Sequence, residues 1–400
     1  MYPTISHLLF DLFGINIPLP IQTFGFWVAI AFIFASWIIS NELKRKEKEG
    51  FLSSTKVNEI IGESLTTSEI ISSLLTGFFI GFKFIEALFH YTDLVNNPQD
   101  FILSTRGNLL GGILIASISF YLKWTENNKT KLATPKTIEK IVHPFELVGN
   151  MTMIAAVSGI IGAKIFHNLE NMDAFLADPI GQLISFSGLT FYGGLIAGAV
   201  SVIWYANKYK INTKHLIDSA APGLMLAYGV GRIGCQMSGD GDWGIDNLAP
   251  KPEWMSFLPD WMWSYNFSHN VLGKIKYDLD GNILSPAGMT YIEDCKGTFW
   301  DPFCYQLANP VWPTAFYEVI MSLAIFGILW AIRRHIKVPG ILFCIYLALN
   351  GLERFSIEKI RINTEYNVLG GITQAEIISS ILVLIGLAGS IYLFRNSKKV

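Results

Sequence analysis

Long apolar segments recur along the whole chain. A membrane-spanning helix needs about 20 mostly apolar residues, because each residue adds about 1.5 Å and the hydrocarbon core is about 30 Å thick. Segments of this kind lie at about 20–40, 68–90, 108–124, 146–167, 189–206, 217–236, 314–333, 339–357 and 372–394. The pattern predicts an all-α polytopic membrane protein with about nine transmembrane helices.

The same pattern divides the chain into three regions. Residues 1–236 hold the first six predicted helices, and residues 314–400 hold the last three. Residues 237–313 between them are polar, acidic and rich in Trp, so we interpret them as a small extracytoplasmic insertion. Tryptophans in such a segment are typical of membrane-interface anchors or of a small core. The insertion either caps a site or receives an acceptor peptide.

The charges between the apolar segments indicate the orientation of the chain. Cytoplasmic loops of membrane proteins carry an excess of Lys and Arg. With nine spans and an outside N-terminus, all five segments assigned to the cytoplasm are basic. The insertion on the other side has ten Asp and Glu against four Lys. We predict a multi-pass protein of the bacterial inner membrane with its C-terminus in the cytoplasm.

Composition excludes two broad classes of protein. The chain is 51% hydrophobic and only 16% charged, whereas soluble domains are usually about a quarter charged. A soluble enzyme with one large core is therefore excluded. The net charge of -2 gives no overall attraction to nucleic acid, so we expect no nucleic-acid partner.

Two stretches of the N-terminal half, 77–116 and 158–198, resemble each other. The matching positions, 81 apart with a one-residue slip before the last pair, are Gly81 and Gly162, Lys83 and Lys164, Gly107 and Gly188, and Gly111-Gly112 and Gly193-Gly194. We interpret the match as a duplicated two-helix unit, 68–124 and 146–206. The alternative is that close helix packing selects glycine twice.

Lys83 and Lys164 lie near the middle of predicted spans. A charge at this depth is costly unless it meets a partner. For each lysine we leave open whether the partner is a bound anion or a group of the protein itself.

The segment Tyr228–Gly244 places a charge at membrane depth. It contains a G-x-G-x-x-G pattern, but the dinucleotide motif must follow a strand and open a helix. Here the pattern lies at the end of an apolar helix, so dinucleotide binding is excluded. An arginine inside the membrane indicates a functional site, which makes Arg232 a candidate. The alternative is a structural arginine paired with a carboxylate.

Residues 353–361 are basic although they lie on the predicted outer side, where the positive-inside rule expects few Lys and Arg. Helical spacing places Arg354, Glu358 and Arg361 on one face. Guanidinium groups bind phosphate through paired hydrogen bonds. We predict that Arg354 and Arg361 join Arg232 in a clamp for a lipid phosphate, the alternative being an exposed amphipathic turn.

Tyr317 and Glu318 follow Pro313, which is typical of a helix start. Tyr317 is either a membrane-interface residue or part of a site. Glu318 is either a substrate ligand or the partner of an arginine.

Four motifs in a fixed order give a family resemblance. They are GLTFYGGLIAG at 188–198, GxGRIGxxxxGD at 229–240, PTxxYE at 313–318 and GLxRFxxExxR at 351–361. Together they resemble the prolipoprotein diacylglyceryl transferases, over roughly 20–40, 145–236 and 313–394. The resemblance implies transfer of diacylglyceryl from phosphatidylglycerol to the lipobox cysteine of prolipoprotein signal peptides, with release of glycerol phosphate. We expect no cofactor and no metal.

The resemblance also implies roles for individual residues. The catalytic candidates are Arg232, Arg361, Tyr192 and Asp240, and the substrate-binding candidates are Arg354, Glu358, Tyr317, Glu318, Lys164, Gly193 and Gly194. Two arginines that grip the leaving phosphate as its charge develops would lower the barrier. A thiol of pKa about 8.5 also needs a base or a positive field, for which Tyr192, Asp240 and Asp242 are candidates.

Several positions depart from the family pattern. Tyr192 stands where the family has an essential His, Cys235 stands in place of an Asn, and Phe24 in place of a Tyr. The changes at Tyr192 and Cys235 keep a lipid-binding paralogue without transferase activity open. Broken glycine-rich helices with buried charge also fit a lipid or anion transporter.

The insertion carries two further expectations. Cys295 and Cys304 lie nine residues apart on the predicted outer side, where an oxidising compartment permits a disulfide. Asp280-Gly281-Asn282 is typical of a hairpin turn between short strands. A calcium loop using Asp278, Asp280 and Asn282 has an incomplete ligand set.

Overall fold

The structure is a computed structural model made of two compact units. It describes residues 1–185, 188–274, 276–277, 283–284, 286–362, 365–366 and 371–397. The first unit combines Met1–Leu52 with Ile211–Val400, and the second unit is Ser53–Lys210.

Helices account for most of the described chain. They are α1 (Ile5–Phe13), α2 (Thr23–Lys48), α3 (Thr67–Phe89), α4 (Tyr91–Asn96), α5 (Pro98–Leu103), α6 (Leu109–Thr130), α7 (Val148–Glu170), α8 (Met172–Ala177), α9 (Pro179–Ile184), α10 (Phe191–Lys208), α11 (Thr213–Ser238), α12 (Thr314–Ile332), α13 (Ile341–Glu358) and α14 (Gln374–Ser397). Side-chain caps fix several starts. Thr66 and Glu69 form a capping box at α3, and the Asn108 side chain accepts from Gly111 N at α6, which satisfies otherwise unpaired amides.

Strands are few, short and paired two by two. They are β1 (Thr55–Ile61), β2 (Lys136–Val142), β3 (Lys276–Tyr277), β4 (Ile283–Leu284), β5 (Met289–Tyr291), β6 (Tyr305–Leu307), β7 (Glu365–Tyr366) and β8 (Ile372–Thr373). Each strand pairs antiparallel with its neighbour in this order. None of these two-stranded sheets is large enough to form a core of its own.

Every apolar segment identified in the sequence contains a helix of the structure. Five helical segments are long and apolar enough to cross a membrane: Thr23–Lys48, Thr67–Phe89, Pro144–Glu170, Thr314–Ile332 and Gln374–Ser397. The protein is therefore a mostly helical membrane protein. For α6, α10, α11 and α13, crossing stays a prediction, and so does the total of nine spans.

Large apolar side chains cover the outer surface of the helices. Leu110 on α6 is 79% exposed and Trp204 on α10 is 66% exposed. In water such a surface would favour aggregation, whereas lipid tails are as apolar as leucine and solvate it at no cost. The outward apolar faces therefore agree with a lipid environment.

The first unit is a row of packed helices. α2 packs along α11, α11 against α12, α12 against α13, and α13 against α14. A buried cluster at Ala221, Met225, Leu329 and Leu342 fills the space between α11, α12 and α13. Gly351 permits the close approach of α13 and α14, because an added Cβ there would lie 2.7 Å from the Ser379 carbonyl oxygen.

The second unit contains two helix pairs and a ribbon. α3 packs against α6, and α7 packs against α10. β1 pairs with β2, and the exposed ion pairs Lys56–Glu139 at 2.8 Å and Lys140–Glu59 at 2.9 Å cross between the strands. Exposed pairs of this kind contribute little stability.

The elements of the second unit recur at a constant spacing. β1, α3, α4 and α5 begin at residues 55, 67, 91 and 98, and β2, α7, α8 and α9 begin at residues 136, 148, 172 and 179. Each start in the second set lies 81 residues after its counterpart, and the ends keep the same offset. In the ribbon, Asn58 faces Glu139, which is its own counterpart in that numbering.

The insertion is a small domain held by aromatic packing and a disulfide. Trp243, Phe267, Leu307 and Val311 form its buried core, whereas Trp254 is 72% exposed. The expected disulfide is present, with Cys295 and Cys304 joined at an S–S distance of 2.00 Å. The expected turn Asp280-Gly281-Asn282 lies between β3 and β4 but outside the described residues, as do the calcium-loop candidates Asp278, Asp280 and Asn282.

The N-terminus is docked on this insertion. The Met1 amino group donates to Ser268 O at 2.6 Å, and His7 Nε2 lies 3.2 Å from Phe299 O. The His7 ring stacks on Trp300 at a centroid distance of 5.1 Å. Burial, the largest effect, lowers the pKa of His7 to about 4, although the hydrogen bond that the ring donates to Phe299 O raises it.

Candidate functional site

The end of α11 positions the first arginine and a returning carboxylate. α11 stops at Gly239, which has φ 64, and Gly241 follows with φ 104. Glycine adopts this left-handed backbone without steric cost. The reversed chain brings Asp242 back to Arg232, and the two side chains form an ion pair.

Arg232 also reaches the start of α12. Its Nε lies 3.0 Å from Glu318 Oε2, and its guanidinium lies 5.1 Å from the Tyr228 ring centroid. The Tyr228 hydroxyl donates to Glu318 Oε1 at 2.9 Å. Glu318 itself is fully buried, so the contact is removed from water.

The chain after α13 brings in the other two arginines. Arg361 forms an ion pair with Asp242 and lies 3.4 Å from Glu318 Oε1 through its NH1. Arg354 NH1 lies 3.2 Å from the same Glu318 oxygen, and its NH2 lies 2.8 Å from Glu358 Oε2. Glu318 is thus the common partner of the three arginines. Arg232 lies 122 residues before Arg354 along the chain, and Arg361 lies 7 residues after it.

Backbone contacts fix these residues in place. Gly244 pairs with Arg361 as a β-bridge, and Ile245 N donates to Ile360 O at 2.9 Å. Glycine is required at 244, because an added Cβ would collide with the Ile360 carbonyl oxygen. The Thr314 hydroxyl, at the first residue of α12, donates to Asp242 O at 2.8 Å.

Two substrate-binding candidates have structural partners. The Tyr317 hydroxyl donates to Met262 O at 2.8 Å, which ties α12 to the insertion. Glu358 Oε1 accepts from the Thr373 hydroxyl at 2.9 Å, which ties α13 to the start of α14. Both residues therefore support the arginine network, whatever else they contact.

The two aspartates of the loop differ in their electrostatics. Burial alone would raise the pKa of the Asp242 carboxyl, but Arg232 and Arg361 lower it below its usual value. Burial and the neighbouring Asp242 raise the pKa of Asp240. A carboxyl with a raised pKa exchanges protons nearer neutral pH, so Asp240 suits proton transfer better than Asp242.

Cys235 completes this corner of the site. The ligand-type atoms of Cys235, Asp240 and Asp242 lie within 4.8 Å of one another. Asp242 is already neutralised by two arginines, and three groups alone do not define a metal centre. We assign these residues to the arginine network.

The remaining candidates belong to the second unit. An added Cβ on Gly193 would lie 2.5 Å from the Gly162 carbonyl oxygen, so this glycine allows α7 and α10 to approach closely. Gly194 faces α7 in the same way, Lys164 is buried on α7, and Tyr192 lies in the first turn of α10. The arginines belong to the first unit, which spans Met1–Leu52 and Ile211–Val400.

Lys83 has partners within the fold. Its amine donates to Phe101 O at 2.9 Å, Ser104 O at 2.6 Å and Arg106 O at 2.7 Å. Three backbone carbonyls satisfy an ammonium group. The structural alternative considered for this lysine is the one observed.

Glu353 is a residue of the site that the sequence motifs do not indicate. It is 4% exposed on α13, and neither carboxylate oxygen has a hydrogen-bond partner among the described residues. It interacts electrostatically with Glu318 and with the three arginines. The available signal was a carboxylate next to Arg354 inside an otherwise apolar segment.

Fold and site together define a class. The protein is a helical membrane protein with a centre of three half-buried arginines, balanced by the half-buried Asp242 and the buried Glu318 and Glu358. Buried charge of this kind is retained where it handles an anion or a proton.

Comparison with known proteins gives the particular family. The family described as prolipoprotein diacylglyceryl transferase matches residues 112–392. The chain is 25% identical over 258 residues to the phosphatidylglycerol–prolipoprotein diacylglyceryl transferase of Dehalococcoides mccartyi, covering 64% of this chain and 79% of that one. It is 27% identical over 259 residues to that of Corynebacterium glutamicum, covering 64% and 70%. With that of Clostridium novyi the identity is 27% over 244 residues, covering 61% and 78%. The chain belongs to the prolipoprotein diacylglyceryl transferase family and is a transferase.

Proposed function

We propose that this protein transfers the diacylglyceryl group of phosphatidylglycerol to the lipobox cysteine thiol of prolipoproteins and releases glycerol phosphate. The observation that carries the proposal is the convergence of Arg232, Arg354 and Arg361 on one buried carboxylate. All three lie inside the segment matched by the family. The names of these relatives supply the substrates.

Phosphate binding follows from the arrangement of the arginines. Without substrate their charges are balanced by Asp242, Glu318 and Glu358. Asp242 is the exchangeable partner, because it lies on a loop while the other two lie on helices. The lipid phosphate takes the place of the Asp242 oxygens at Arg232 and Arg361, and two guanidinium groups then hold it.

In the chemical step, negative charge develops on the bound phosphate. The thiol sulfur attacks the glyceryl carbon, the bond from that carbon to the phosphate oxygen breaks, and a carbon–sulfur bond forms. The leaving phosphate gains one negative charge, which Arg232 and Arg361 stabilise as it develops. The thiol proton passes to a carboxylate, for which Asp240 has the suitable environment. Tyr192 stays a second candidate.

The test is transfer of labelled diacylglyceryl to a lipobox peptide by the purified protein. Arg232→Ala and Arg361→Ala should each reduce transfer at least 100-fold, while Arg395→Ala, at the exposed end of α14, should not. Wild-type rates in both site variants would end the proposal. Release of glycerol phosphate separates a transferase from a lipid transporter. Complementation of a transferase-depleted strain separates it from a non-catalytic paralogue.

We further propose the inner membrane, nine spans, an outside N-terminus and a cytoplasmic C-terminus. The support is the basic charge of alternate connecting segments. A cysteine introduced at Ser256 should react with an impermeant maleimide from outside, and one at Asn58 should not. The reverse labelling would overturn the orientation.

We also propose that the second unit arose by duplication. The constant offset of 81 residues between its two sets of elements supports this. So does the repetition of the glycine contacts, since Gly81 faces the Gly111 carbonyl as Gly162 faces that of Gly193. If the two sets are copies, superposing α3–α6 on α7–α10 should align these glycines, and a solved structure in which they fail to align would refute it.

A further inference from the structure

A small cavity lies in the first unit, at the end of α11 that is far from Arg232. It has a volume of about 50 Å³ and is lined by Arg45, Lys46, His215, Asp218, Arg334 and Lys337 among others. Asp218 and Arg232 are 14 positions apart on α11, which corresponds to roughly 20 Å at 1.5 Å per residue. The cavity is therefore separate from the site already described.

The acidic groups in the cavity wall already have partners. Asp218 accepts from Gly340 N at 2.7 Å and from Phe343 N at 2.9 Å, and Lys46 Nζ lies 3.7 Å from it. Glu49 pairs with Arg45 at 2.7 Å. Neither carboxylate is left to neutralise the other cations of the wall.

Two cations of the wall have no such partner. Arg334 and Lys337, in the connection between α12 and α13, form no hydrogen bond or ion pair with any other residue that the structure describes. Lys46 beside them is buried, and its amine donates to His215 O at 3.1 Å. The wall therefore has an excess of two positive charges over its acids, with polar donors on several sides.

The volume of the cavity limits the size of the anion that it can bind. One water-sized group needs about 10–15 Å³ of cavity volume, so the cavity holds roughly four such groups. A phosphate group has four oxygens in a compact tetrahedron. Guanidinium and ammonium groups are its usual ligands in proteins.

We propose that this cavity binds a phosphate group, as a second anion site independent of the Arg232 network. The phosphate comes either from the headgroup of a phospholipid beside α2 and α12 or from free phosphate in solution. Arg334 and Lys337 supply the unbalanced charge, and Arg45 and Lys46 supply the fixed donors.

The first experiment is binding of radiolabelled inorganic phosphate to the purified protein at constant ionic strength. The double variant Arg334→Ala/Lys337→Ala should bind about one phosphate fewer per chain, or bind it at least tenfold more weakly. Lys129→Ala/Lys131→Ala removes two exposed cations at the end of α6 and should bind like wild type. The conservative variant Arg334→Lys/Lys337→Arg should retain binding.

A second experiment separates the two sources. Native mass spectrometry from nanodiscs of phosphatidylcholine with phosphatidic acid should show one retained phosphatidic acid that the alanine variant lacks, if the source is a lipid. Phosphate binding in pure phosphatidylcholine discs, without retained phosphatidic acid, identifies free phosphate. Coincident results for wild type and a folded alanine variant in both experiments would overturn the proposal.

Discussion

Replacing Glu318 by glutamine tests the arginine network directly. The change keeps the shape of the side chain but removes the one charge that contacts Arg232, Arg354 and Arg361, at 3.0, 3.2 and 3.4 Å respectively. At an effective dielectric constant near 20, one unit-charge pair at such a distance interacts by roughly 5 kcal/mol. Desolvation offsets most of this. Loss of one partner of a buried pair costs about 3–5 kcal/mol, and Glu318 is fully buried.

The assay is unfolding of the purified protein by sodium dodecyl sulfate, followed by circular dichroism. We expect Glu318→Gln to lower the free energy of unfolding by about 3 kcal/mol or more. The matched control is Glu59→Gln, which breaks the exposed pair with Lys140 and should cost less than about 1 kcal/mol. Equal midpoints for wild type and Glu318→Gln would show that the network contributes nothing to the fold.

Three further predictions concern single side chains. Asp240→Asn should lower transfer and remove its rise with pH, because burial raises the pKa of Asp240 and only the carboxylate accepts the thiol proton. An unchanged pH profile would exclude Asp240 as the base. Glu353→Gln should unfold at a higher detergent fraction than wild type, since it is costly to bury a carboxylate whose oxygens accept no hydrogen bond from the described residues. Unfolding at a lower fraction would contradict this. The docking of α1 should weaken as pH falls from about 6.5 to 4, because burial lowers the pKa of His7 to about 4 and the neutral ring is the folded form. We expect tryptophan fluorescence to change over this pH range, and His7→Gln should reduce that change without removing it, because His269, whose pKa burial also lowers, stacks on the same Trp300. A variant with the pH profile of the wild type would contradict the role of His7.

Helix positions were predictable because they depend on local composition. The first predicted segment, 20–40, begins three residues before the start of α2 and ends eight residues before its end, and the last, 372–394, overlaps α14 almost fully. Apolar runs and their caps act over a few residues, so they are visible in the sequence. The short helices α4, α5, α8 and α9 were missed, since six residues carry too little periodicity to show.

The site was predictable in its members more than in its contacts. The order of the motifs and the unexpected basic residues at 353–361 on the predicted outer side identified Arg232, Arg354 and Arg361 as one group. The carboxylate that joins them was seen only as an alternative role for Glu318. Glu353 was overlooked, because the sequence does not show that a side chain is buried without a partner.

The amino-acid sequence alone determined the class of this protein, its helices and the residue types of its centre. Hydrophobic length and charge bias are properties of short segments, so no long-range information is needed to read them. Tertiary structure decided which charges meet. The ion pair of Arg361 with Asp242 joins residues 119 positions apart, and it forms because glycines at 239, 241 and 244 let the chain turn back and approach closely. Only the packed fold distinguishes an arginine that is balanced by a carboxylate from one, such as Arg334, that has no acidic partner in the described part of the chain.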